Sequence, residues 1–488
     1  MSDPDEHGLR PHAGYLWRLA LVSAAYFGLA KAGLAFAFAN QSVTSIWPPT
    51  GLALAAVLIW GYRMWPGVAA GAFLANITTA GSIPTVLGIT TGNTLEALVG
   101  AYLLINVADF RPSLERVRDV LALVVCGALV STMFSATIGV ASLAASGLVP
   151  AGQLTSTWRV WWFGDVGGDL LVAPALLIAA SRPWLEWRPR VHLEAVALLA
   201  VLLAVDVIAF AAGEKIVYTI FPVLYWIAYR YRQPGIAIAG LITSGMAVYF
   251  TAHGQGPFMG GSEDTELLRS QTFVGVATIS GLLVASLATE RRHAEEKLRH
   301  RADHDPLTGL VNSRRFTEEL EKWISYNARY GGEGAVMVLD LDRFKGVNDA
   351  LGHTAGNELL ARVAHLLSER LRETDVVGRW GGDEFTVLLP RTSEANAVLV
   401  ATDLLELVPR EAAIVSGGQR MALTVSIGVA PFGGGDGLEP GHVLRSADAA
   451  MYRAKEAGRN RVELSGPRLQ QAEHRHLGIA GAPRRRAS

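Results

Sequence analysis

The sequence predicts a multi-span α-helical membrane domain followed by a soluble α+β domain. The overall hydrophobic content of 50% combines a very apolar part, up to about residue 290, with a charged remainder. Long apolar runs fill the first part, whereas the second alternates short apolar runs with amphipathic segments. We expect a cytoplasmic N-terminal segment (1–14) and a membrane domain (15–289). A linker helix (290–304), the soluble domain (305–465) and a flexible basic tail (466–488) would follow.

The composition excludes some classes of protein. The net charge of −1 gives no indication of a nucleic-acid partner. The single cysteine, Cys126, lies in an apolar run, so an intramolecular disulfide framework is excluded and a thiolate metal cluster is not expected. The first residues lack the basic and apolar regions of a removable signal peptide, which is therefore expected to be absent.

The membrane domain contains ten apolar segments near the size of a spanning helix, which needs about 20 residues. They lie near 15–38, 43–61, 65–81, 84–105, 117–148, 158–181, 192–212, 216–231, 234–252 and 271–289. Arginine and lysine collect in alternate loops, which predicts that both termini lie on the cytoplasmic side of the inner membrane. Two termini on the same side require an even number of spans. Ten spans meet this requirement, and eight also meet it if two of the shorter segments are re-entrant.

Several ionisable or amide side chains lie within these apolar segments. A carboxylate inside a membrane is unfavourable unless it is paired or hydrated, so each group is a candidate for sensing a ligand or protons. The alternative is that these groups form polar contacts between helices. The seven residues are Lys31, Asn76, Asn93, Glu96, Asp165, Asp169 and Asp206.

Three short motifs occur in this domain: WPPTG at 47–51, WPG and FLAN within 65–76, and GDVGGDLLVAP at 164–174. Together they resemble the MASE family of integral-membrane sensors, of its first type, which is found upstream of signalling output domains. The resemblance covers roughly residues 15–290 and implies a sensor for an unidentified ligand. That family is described with eight spans, so the count of ten segments differs from it.

The last apolar segment continues into the charged stretch ERRHAEEKLRHRADH at 290–304, which predicts a helix. Ala294 and Leu298 are its main apolar positions, too few for a stable coiled coil on their own. Two interpretations remain open. The stretch either transmits rotation or register between two subunits, or is a solvated connecting helix.

Strands and helices alternate in the soluble domain. The run AVMVL at 335–339 predicts a buried strand that ends in Asp340. Gly381 and Gly382 predict a tight hairpin with positive φ before a second, alternating strand. The apolar residues of 359–371 have helical spacing. Further helices are expected near 393–408 and 442–456, and further strands near 421–430 and 461–464. This order predicts an α+β sheet covered by helices.

The two strands would lie side by side and bring Asp383, with its neighbour Glu384, close to Asp340. Two carboxylates and a main-chain carbonyl, such as that of Leu341, form an oxygen-rich site suited to Mg²⁺ (or Mn²⁺) and to the phosphates that it carries. Taken alone, a Gly-Gly-Asp-Glu sequence is more often an ordinary exposed hairpin.

Basic side chains arrive at this site from other segments. Lys345 follows the first strand closely, and Lys455 and Arg459 are expected on one helix face because they are four residues apart. Cations that converge on metal-bound phosphates suit phosphoryl or nucleotidyl transfer, since that chemistry depends mostly on positioning and charge stabilisation. Each cation by itself would be a solvated surface charge.

Five motifs occur in order in this domain: DPLTGLVNSRRF at 305–316, DLDRFKGVNDALGHTAGNELL at 340–360, RWGGDEF at 379–385, SIGVA at 426–430 and ADAAMYRAKEAGRNRV at 447–462. Together they resemble the GGDEF family of diguanylate cyclases and imply an α+β GGDEF (nucleotide-cyclase-like) domain. The resemblance implies that a homodimer condenses two GTP into cyclic di-GMP and two pyrophosphates. The active site would form where two domains face each other.

The same resemblance implies a role for each matching residue. Asp340 and Asp383 would bind the metal through their side chains, and Leu341 through its carbonyl. The other implied roles are transition-state stabilisation by Lys345, metal binding or deprotonation of the 3′-hydroxyl by Glu384, nucleotide binding by Asn348, His353 and Asn357, and phosphate binding by Lys455 and Arg459.

Asn357 departs from the family, which usually has aspartate at this position to bind the guanine edge. An amide has one acceptor oxygen and also donates, so the preference for guanine is expected to weaken. The loss of a charged acceptor corresponds to about 1–2 kcal/mol. A cyclase with relaxed purine specificity is therefore one alternative.

Arg372 and Asp375 match the RxxD pattern with which many members of the family bind dimeric product and are inhibited by it. The planar guanidinium of arginine suits this role because it pairs with phosphate and stacks on guanine. An inactive domain that acts as a cyclic di-GMP receptor through this site is a second hypothesis, although the intact acidic residues argue against it. A third hypothesis is a transporter with a regulatory tail. The arginines at the C-terminal end are expected to contact anionic membrane lipid.

Overall fold

The computed structural model describes residues 10–35, 46–79, 82–181, 189–212, 216–416, 419–421, 423–433 and 439–466. The first nine residues, the basic residues of the 182–188 loop and the predicted basic tail from residue 467 lie outside these ranges. The chain divides into two compact units, Met1–Ala294 and Glu295–Ser488. The boundary between them falls inside a helix.

The described part of the first unit is helical. Its α-helices are α1 (Arg10–Ala35), α2 (Pro48–Trp60), α3 (Trp65–Ile77), α4 (Ile83–Tyr102), α5 (Val117–Ala122), α6 (Thr132–Ala145), α7 (Leu154–Ser181), α8 (Pro189–Ala212), α9 (Ile220–Ala252) and α10 (Glu263–Asp303). A π-helical segment, Leu123–Val130, joins α5 to α6. Helix α10 confirms that the predicted linker continues the last apolar segment.

Six helical segments among the described residues are long and apolar enough to cross a membrane: Gly14–Ala35, Val117–Ala145, Ala151–Ser181, Leu193–Ala211, Val217–Ala252 and Thr265–Asp303. The predicted set of ten is not reproduced. Helices α2 and α3 have 13 residues each, which gives about 20 Å, too short for a hydrocarbon core of about 30 Å. The predicted segments 216–231 and 234–252 correspond to two helices within α9, which are separated by a non-helical residue, Arg232, with a φ of 55°.

A buried polar joint holds the end of α10 inside the first unit. The Leu114 carbonyl, in the loop before α5, accepts hydrogen bonds from Gln233 Nε2 at 3.1 Å and from Ser286 Oγ at 2.8 Å. Gln233 Nε2 also donates to Thr289 Oγ1 at 3.2 Å. All three side chains are fully buried. The polar joint therefore fixes α10 against α9 shortly before the charged linker begins.

The second unit contains a six-stranded sheet with the strand order β1-β3-β4-β2-β7-β8. The strands are β1 (Val311–Asn312), β2 (Glu333–Leu341), β3 (Val376–Gly381), β4 (Glu384–Pro390), β5 (Ile414–Ser416), β6 (Gln419–Met421), β7 (Val425–Gly433) and β8 (Val462–Leu464). Strands β5 and β6 form a separate hairpin. The helices are α11 (Ser313–Tyr330), α12 (Phe344–Arg370), α13 (Glu394–Glu411) and α14 (Pro440–Glu456).

Helices cover both faces of this sheet, as the sequence predicts. Met337 and Leu339 of β2 belong to the core that includes buried residues of α12 and α13. Val336 and Val338 belong to the opposite core, with residues of α11 and α14. A strand that is buried on both faces has no polar alternation, which explains the continuous apolar run in β2.

Helix α14 packs closely on β7 at Gly428. A methyl group on Gly428 would lie 2.0 Å from the Ala447 carbonyl oxygen and 2.2 Å from the Met451 amide nitrogen. Since these are backbone atoms, no side-chain rotation relieves the overlap, and the helix must move away from the sheet.

We predict that Gly428→Ala lowers the free energy of unfolding of the soluble unit by about 1–3 kcal/mol, the usual cost of overpacking. Urea unfolding of Glu295–Ser488 measures the change. Gly346→Ala is the matched control, because no atom lies within 4 Å of the added methyl group. Equal stability of the two variants would contradict the close packing of α14 on β7.

Candidate active site

The ends of β2 and β4 create the acidic site. The two strands pair in antiparallel register, with Asp340 opposite Glu384. Beyond the paired residues, the Leu341 amide donates to the Asp383 carbonyl at 3.3 Å. The predicted placement of the two strands side by side is therefore confirmed, and it brings Asp383 and Glu384 to the end of β2.

The hairpin between β3 and β4 depends on one glycine and one arginine. Gly382 has a φ of 54°, whereas Gly381 has no positive φ, so the prediction of positive φ is correct only for Gly382. Arg379 donates to the Gly382 carbonyl from Nε at 3.1 Å and from Nη2 at 2.7 Å. Its Nη1 pairs with the Asp305 carboxylate at 3.1 Å. We call these contacts of Arg379 with Gly382 and Asp305 the clamp. The sequence alone did not reveal it, because Arg379 and Asp305 are 74 positions apart.

Negative charge is concentrated at the end of β2. Burial raises the pKa of Asp340; the Lys455 ammonium, 2.6 Å from its Oδ2, opposes that rise, and Asp383 adds to it. Burial also raises the pKa of Glu384, and the Asp340 and Asp448 carboxylates raise it further. Asp448 was not among the predicted site residues. A cation at this position would relieve the repulsion among these carboxylates.

The donor set fits a hard divalent cation such as Mg²⁺, because it consists of oxygen atoms in a negatively charged environment. No group of three or more His, Cys, Asp or Glu side chains within the described ranges is arranged to hold a metal ion. The predicted site needs only the side chains of Asp340 and Asp383 and the Leu341 carbonyl. Phosphate and water oxygens would supply the remaining ligands.

Lys455 and Arg459 reach the end of β2 by different routes, and the prediction of a shared helix face is wrong. Helix α14 ends at Glu456, and Arg459 follows it with a φ of 63°. Lys455 pairs with Asp340, while Arg459 Nε lies 4.0 Å from Asp342 Oδ1. The left-handed turn after the helix, which spacing alone does not reveal, directs the second cation back to the sheet.

Asp342 is a buried residue whose structural part the sequence did not reveal. Its carboxylate accepts hydrogen bonds from Thr424 Oγ1 at 2.7 Å and from Ser426 Oγ at 2.8 Å. The main-chain amide of Asn460 donates to Asp342 Oδ2 at 3.1 Å. Asp342 therefore ties the turn after α14 to β7, next to the acidic site. Ser426, the serine of the SIGVA motif, is one of these donors. Its hydrogen bond to Asp342 explains why a hydroxyl side chain is needed at this position of the motif.

The predicted nucleotide-binding residues lie on α12, which is broken at Gly352 with a φ of 81°. A methyl group on Gly356 would lie 1.9 Å from Asn348 Oδ1, so Asn348 packs against the backbone next to Asn357. The Asn348 side chain thus contacts the backbone beyond the break, whereas Asn357 is exposed. The other two predicted residues on this element, Lys345 and His353, have exposed side chains.

The RxxD residues form a turn before β3. The Arg372 amide donates to Asp375 Oδ2 at 3.0 Å, and the Asp375 amide donates to the Arg372 carbonyl at 2.9 Å. Burial raises the pKa of Asp375, and the bond from the Arg372 amide opposes this. The Arg372 side chain is exposed. Because the acidic hairpin follows β3, the two sites lie at opposite ends of this strand, about 20 Å apart.

Fold and site together define a helical membrane domain joined to a nucleotide-cyclase-like domain with an acidic, phosphate-directed site. Residues 18–292 match the family described as MASE1, and residues 302–461 match the family described as diguanylate cyclase, GGDEF domain. The chain belongs to the MASE1 family, with a membrane-sensor domain followed by a GGDEF domain. Both resemblances are confirmed, and the six apolar helices agree with a multi-pass protein of the inner membrane.

Two similar curated proteins bear the name diguanylate cyclase. Diguanylate cyclase DgcM of Escherichia coli (strain K12) is 38% identical over 196 residues, which cover 39% of this chain and 46% of that protein. Diguanylate cyclase DgcP of Pseudomonas aeruginosa is 41% identical over 174 residues, covering 36% and 25%. The chain therefore spans less than half the length of these relatives.

Among solved structures, the crystal structure of the coiled coil and GGDEF domain of DgcB from Caulobacter crescentus in complex with c-di-GMP is similar to this chain. The sequence identity is 30% and the TM-score is 0.34. The match covers 36% of this chain and 92% of that chain.

The clamp at the hairpin predicts a dependence of stability on pH. Although burial acts to raise the pKa of Asp305, hydrogen bonds from Thr308 and the pairing with Arg379 outweigh it and lower the pKa. The stabilisation is therefore complete above the ordinary carboxyl pKa of about 3.9 and is lost as the pH falls through the lowered value.

We predict that Asp305→Asn lowers the free energy of unfolding by about 1–2 kcal/mol above pH 4, and that the difference from the unsubstituted protein disappears at lower pH. Urea unfolding of Glu295–Ser488 between pH 2.5 and 7 measures it. Asp403→Asn, which removes the exposed pair with Arg370, is the control and changes stability by less than about 1 kcal/mol. A difference that does not shrink as the pH falls from 4 to 2.5 would contradict the clamp.

Proposed function

We propose that this protein is a membrane-bound diguanylate cyclase that condenses two GTP into cyclic di-GMP and two pyrophosphates. The similar curated proteins DgcM and DgcP bear that activity in their names. The observation that carries the proposal is the paired register of Asp340 and Glu384, with Asp383 beside them. This register gathers the carboxylates that a divalent cation and a triphosphate require.

Each GTP would lie at the end of β2. A bound Mg²⁺ (or Mn²⁺) would neutralise the phosphates and favour loss of pyrophosphate. We assign its binding to Asp340, Asp383 and the Leu341 carbonyl. We assign phosphate contacts to Lys455 and Arg459, the two cations that meet the end of β2.

The remaining residues act on the nucleotide and on the attacking group. Glu384 is half-buried and its pKa is raised, which suits a general base for the 3′-hydroxyl that attacks the α-phosphorus of the other GTP. Lys345 would stabilise charge in the transition state. Asn348, which packs against Gly356 across the break in α12, would bind the nucleotide together with Asn357 and His353.

The reaction requires two domains that face each other, so we propose a homodimer joined through the GGDEF domain and the linker at 290–304. The membrane domain would control the rate by changing how the two domains meet. The polar joint supports this proposal, because Gln233, Ser286 and Thr289 fix the helix that continues into the linker.

We predict that the full-length protein in lipid nanodiscs converts GTP and Mg²⁺ into cyclic di-GMP, followed by mass spectrometry. Asp340→Asn is expected to lower the rate about 100-fold or more, as the loss of one preorganised electrostatic group does. Asp403→Asn keeps the rate, since Asp403 is an exposed residue on α13 paired with Arg370. No product, even from a preparation that is cross-linked as a dimer, would favour the receptor hypothesis.

The same assay with ATP tests the relaxed purine specificity, a second candidate that Asn357 favours. Asn357→Asp is expected to increase the preference for GTP over ATP by about tenfold, which corresponds to about 1.4 kcal/mol. If the unsubstituted protein already excludes ATP and the variant does not change the ratio, relaxed specificity is wrong, although the cyclase assignment stands.

We propose that product binds at Arg372 and Asp375 and inhibits the enzyme. Arg372→Ala is expected to raise the concentration of cyclic di-GMP that halves the rate by about tenfold or more, because a charge-assisted contact with phosphate is lost. Initial rates at increasing product concentrations measure this. Arg445→Ala, an exposed arginine on α14, is the control. Inhibition that is unchanged in Arg372→Ala would rule out this site.

A further inference from the structure

A partly enclosed cavity of about 750 Å³ lies in the membrane domain, between the start of α9, the start of α10 and the loop that joins these two helices. Its volume is within the range of small-molecule sites, about 300–1,000 Å³. Aromatic and aliphatic side chains form most of its lining, and Arg269 is the only charged residue among the described residues that line it. We call it the aromatic cavity.

The walls of the aromatic cavity are held by ring contacts between separate segments. Phe273 of α10 meets Phe221 of α9 edge to face, with ring centroids 5.8 Å apart, and packs on Phe258 of the loop at 5.3 Å. Phe258 and Phe273 are both buried. Tyr218 stacks on Phe221 at 6.4 Å and is 70% exposed, which places it at the rim. The rings therefore leave an apolar space with a fixed outline.

The loop that closes one side of the cavity is anchored to α10. Glu266 Oε1 accepts hydrogen bonds from the main-chain amides of Gly260 at 2.8 Å and Gly261 at 3.1 Å. Gly260 has a φ of 99°, which residues with a side chain rarely adopt. The turn after Phe258 is therefore fixed, and Pro257 and Phe258 line the cavity from buried positions.

Arg269 supplies a positive charge at the edge of this apolar space. Its side chain is exposed, and it has no hydrogen bond or ion pair with any other residue in the described ranges. Glu266, which lies one turn earlier on α10, is already bound to the loop amides. The guanidinium is therefore available to an anion, and its planar group binds a carboxylate through two parallel hydrogen bonds.

Helix α10 also defines the depth of the cavity in the membrane. Arg269 precedes Glu290, the first residue of the linker, by 21 positions in this helix, a rise of about 32 Å. That rise is close to the hydrocarbon thickness of about 30 Å. Because the GGDEF domain lies in the cytoplasm, Arg269 lies near the opposite interface. A charged head group is hydrated there, while an apolar chain is stable inside the cavity.

We propose that the aromatic cavity binds an amphipathic carboxylate, with the carboxylate on Arg269 and a single apolar chain against Phe221, Phe258 and Phe273. One guanidinium matches one carboxylate in charge. Helix α10 supplies five of the lining residues and continues into the linker, so the ligand contacts the helix that leads to the cyclase domain. The site gives the sensor a ligand class, and it rests on the proposed function only for its regulatory meaning.

The test uses the full-length protein in phosphatidylcholine nanodiscs at pH 8.5, where a carboxylate is ionised. The probe is dodecanoate with a photoactivatable diazirine on its chain, and mass spectrometry identifies the cross-linked peptides. Cross-links are expected in 217–221, 257–258 and 268–276, the segments that line the cavity. Cross-links confined to other segments would overturn the proposal.

Competition shows whether the charge of the ligand matters. Unlabelled dodecanoate is expected to displace the probe at a concentration at least tenfold lower than methyl dodecanoate or dodecyltrimethylammonium, which have chains of the same length but no negative charge. Equal displacement by all three amphiphiles would overturn the proposal, because the cavity would then accept any apolar chain, including that of a bilayer lipid.

Substitutions locate the site. Arg269→Gln is expected to weaken displacement by dodecanoate tenfold or more and to leave displacement by methyl dodecanoate unchanged. Arg159→Gln is the matched control, because Arg159 is an exposed arginine near the start of α7 that does not line the cavity. Equal weakening in both variants, or none in Arg269→Gln, would overturn the proposal.

A second pair of variants tests the apolar part of the site. Val276→Trp places a large side chain at the cavity and is expected to lower cross-linking by the probe tenfold or more. Leu287→Trp is its control, because Leu287 is an equally exposed apolar residue of α10 outside the lining. Equal cross-linking in both variants would overturn the proposal. The comparison of the three amphiphiles needs no variant, so it decides even where a variant does not fold.

Cyclase activity is measured in the same nanodiscs without contributing to this decision. Cross-linking that follows the expected pattern in a preparation that forms no cyclic di-GMP would overturn the proposed function and leave the carboxylate site standing. Cyclic di-GMP formation without charge-selective cross-linking would overturn the carboxylate site alone.

Discussion

The antiparallel pairing of β2 with β4 is the constraint on which the acidic site depends. Because side chains alternate between the faces of a sheet, a slip of one residue would exchange the two cores and turn Asp340 to the other side. Burial on both faces opposes this slip, since Met337 and Val338 belong to different cores. The placement of Asp340 opposite Glu384 is therefore a consequence of hydrophobic packing along the whole strand.

Two aspartates at the end of β2 illustrate how surroundings divide the roles of identical side chains. Asp342 accepts hydrogen bonds from two hydroxyls and one amide, so its charge is satisfied within the protein. Burial raises the pKa of Asp340, the neighbouring carboxylates of Asp383 and Asp342 add to the rise, and its ion-pair partner Lys455 opposes it. The first connects the turn after α14 to β7, and the second is the residue that we propose as a ligand of an incoming cation.

Local patterns in the sequence predicted the central strands β2, β4 and β7, the edge strand β8, the helices α12, α13 and α14 and the side-by-side placement of β2 and β4, but not α11, β1 or β5. They failed where conformation depends on distant residues. The turn at Arg459 interrupts the helical spacing that was predicted to place Lys455 and Arg459 on one face. Two of the ten predicted spans correspond to helices of only 13 residues, α2 and α3, because hydropathy shows that a segment is apolar but not how long its helix is. The pairing of Arg379 with Asp305 has no local signal.

The polar groups of the membrane domain fall into two kinds. Those of the polar joint join α9 and α10 to the Leu114 carbonyl, whereas the buried carboxylates of α4 and α7, near Ser135, interact with one another. One helical element, Val117–Ala145, begins shortly after Leu114 and extends to the carboxylates. It carries Ser135 beside the carboxylates, and its first amide, that of Val117, donates to the Glu290 carboxylate at 3.1 Å. A carboxylate at a helix N-terminus is stabilised by the helix dipole. A movement of this element at the carboxylates would therefore reach the start of the linker through one continuous segment of chain.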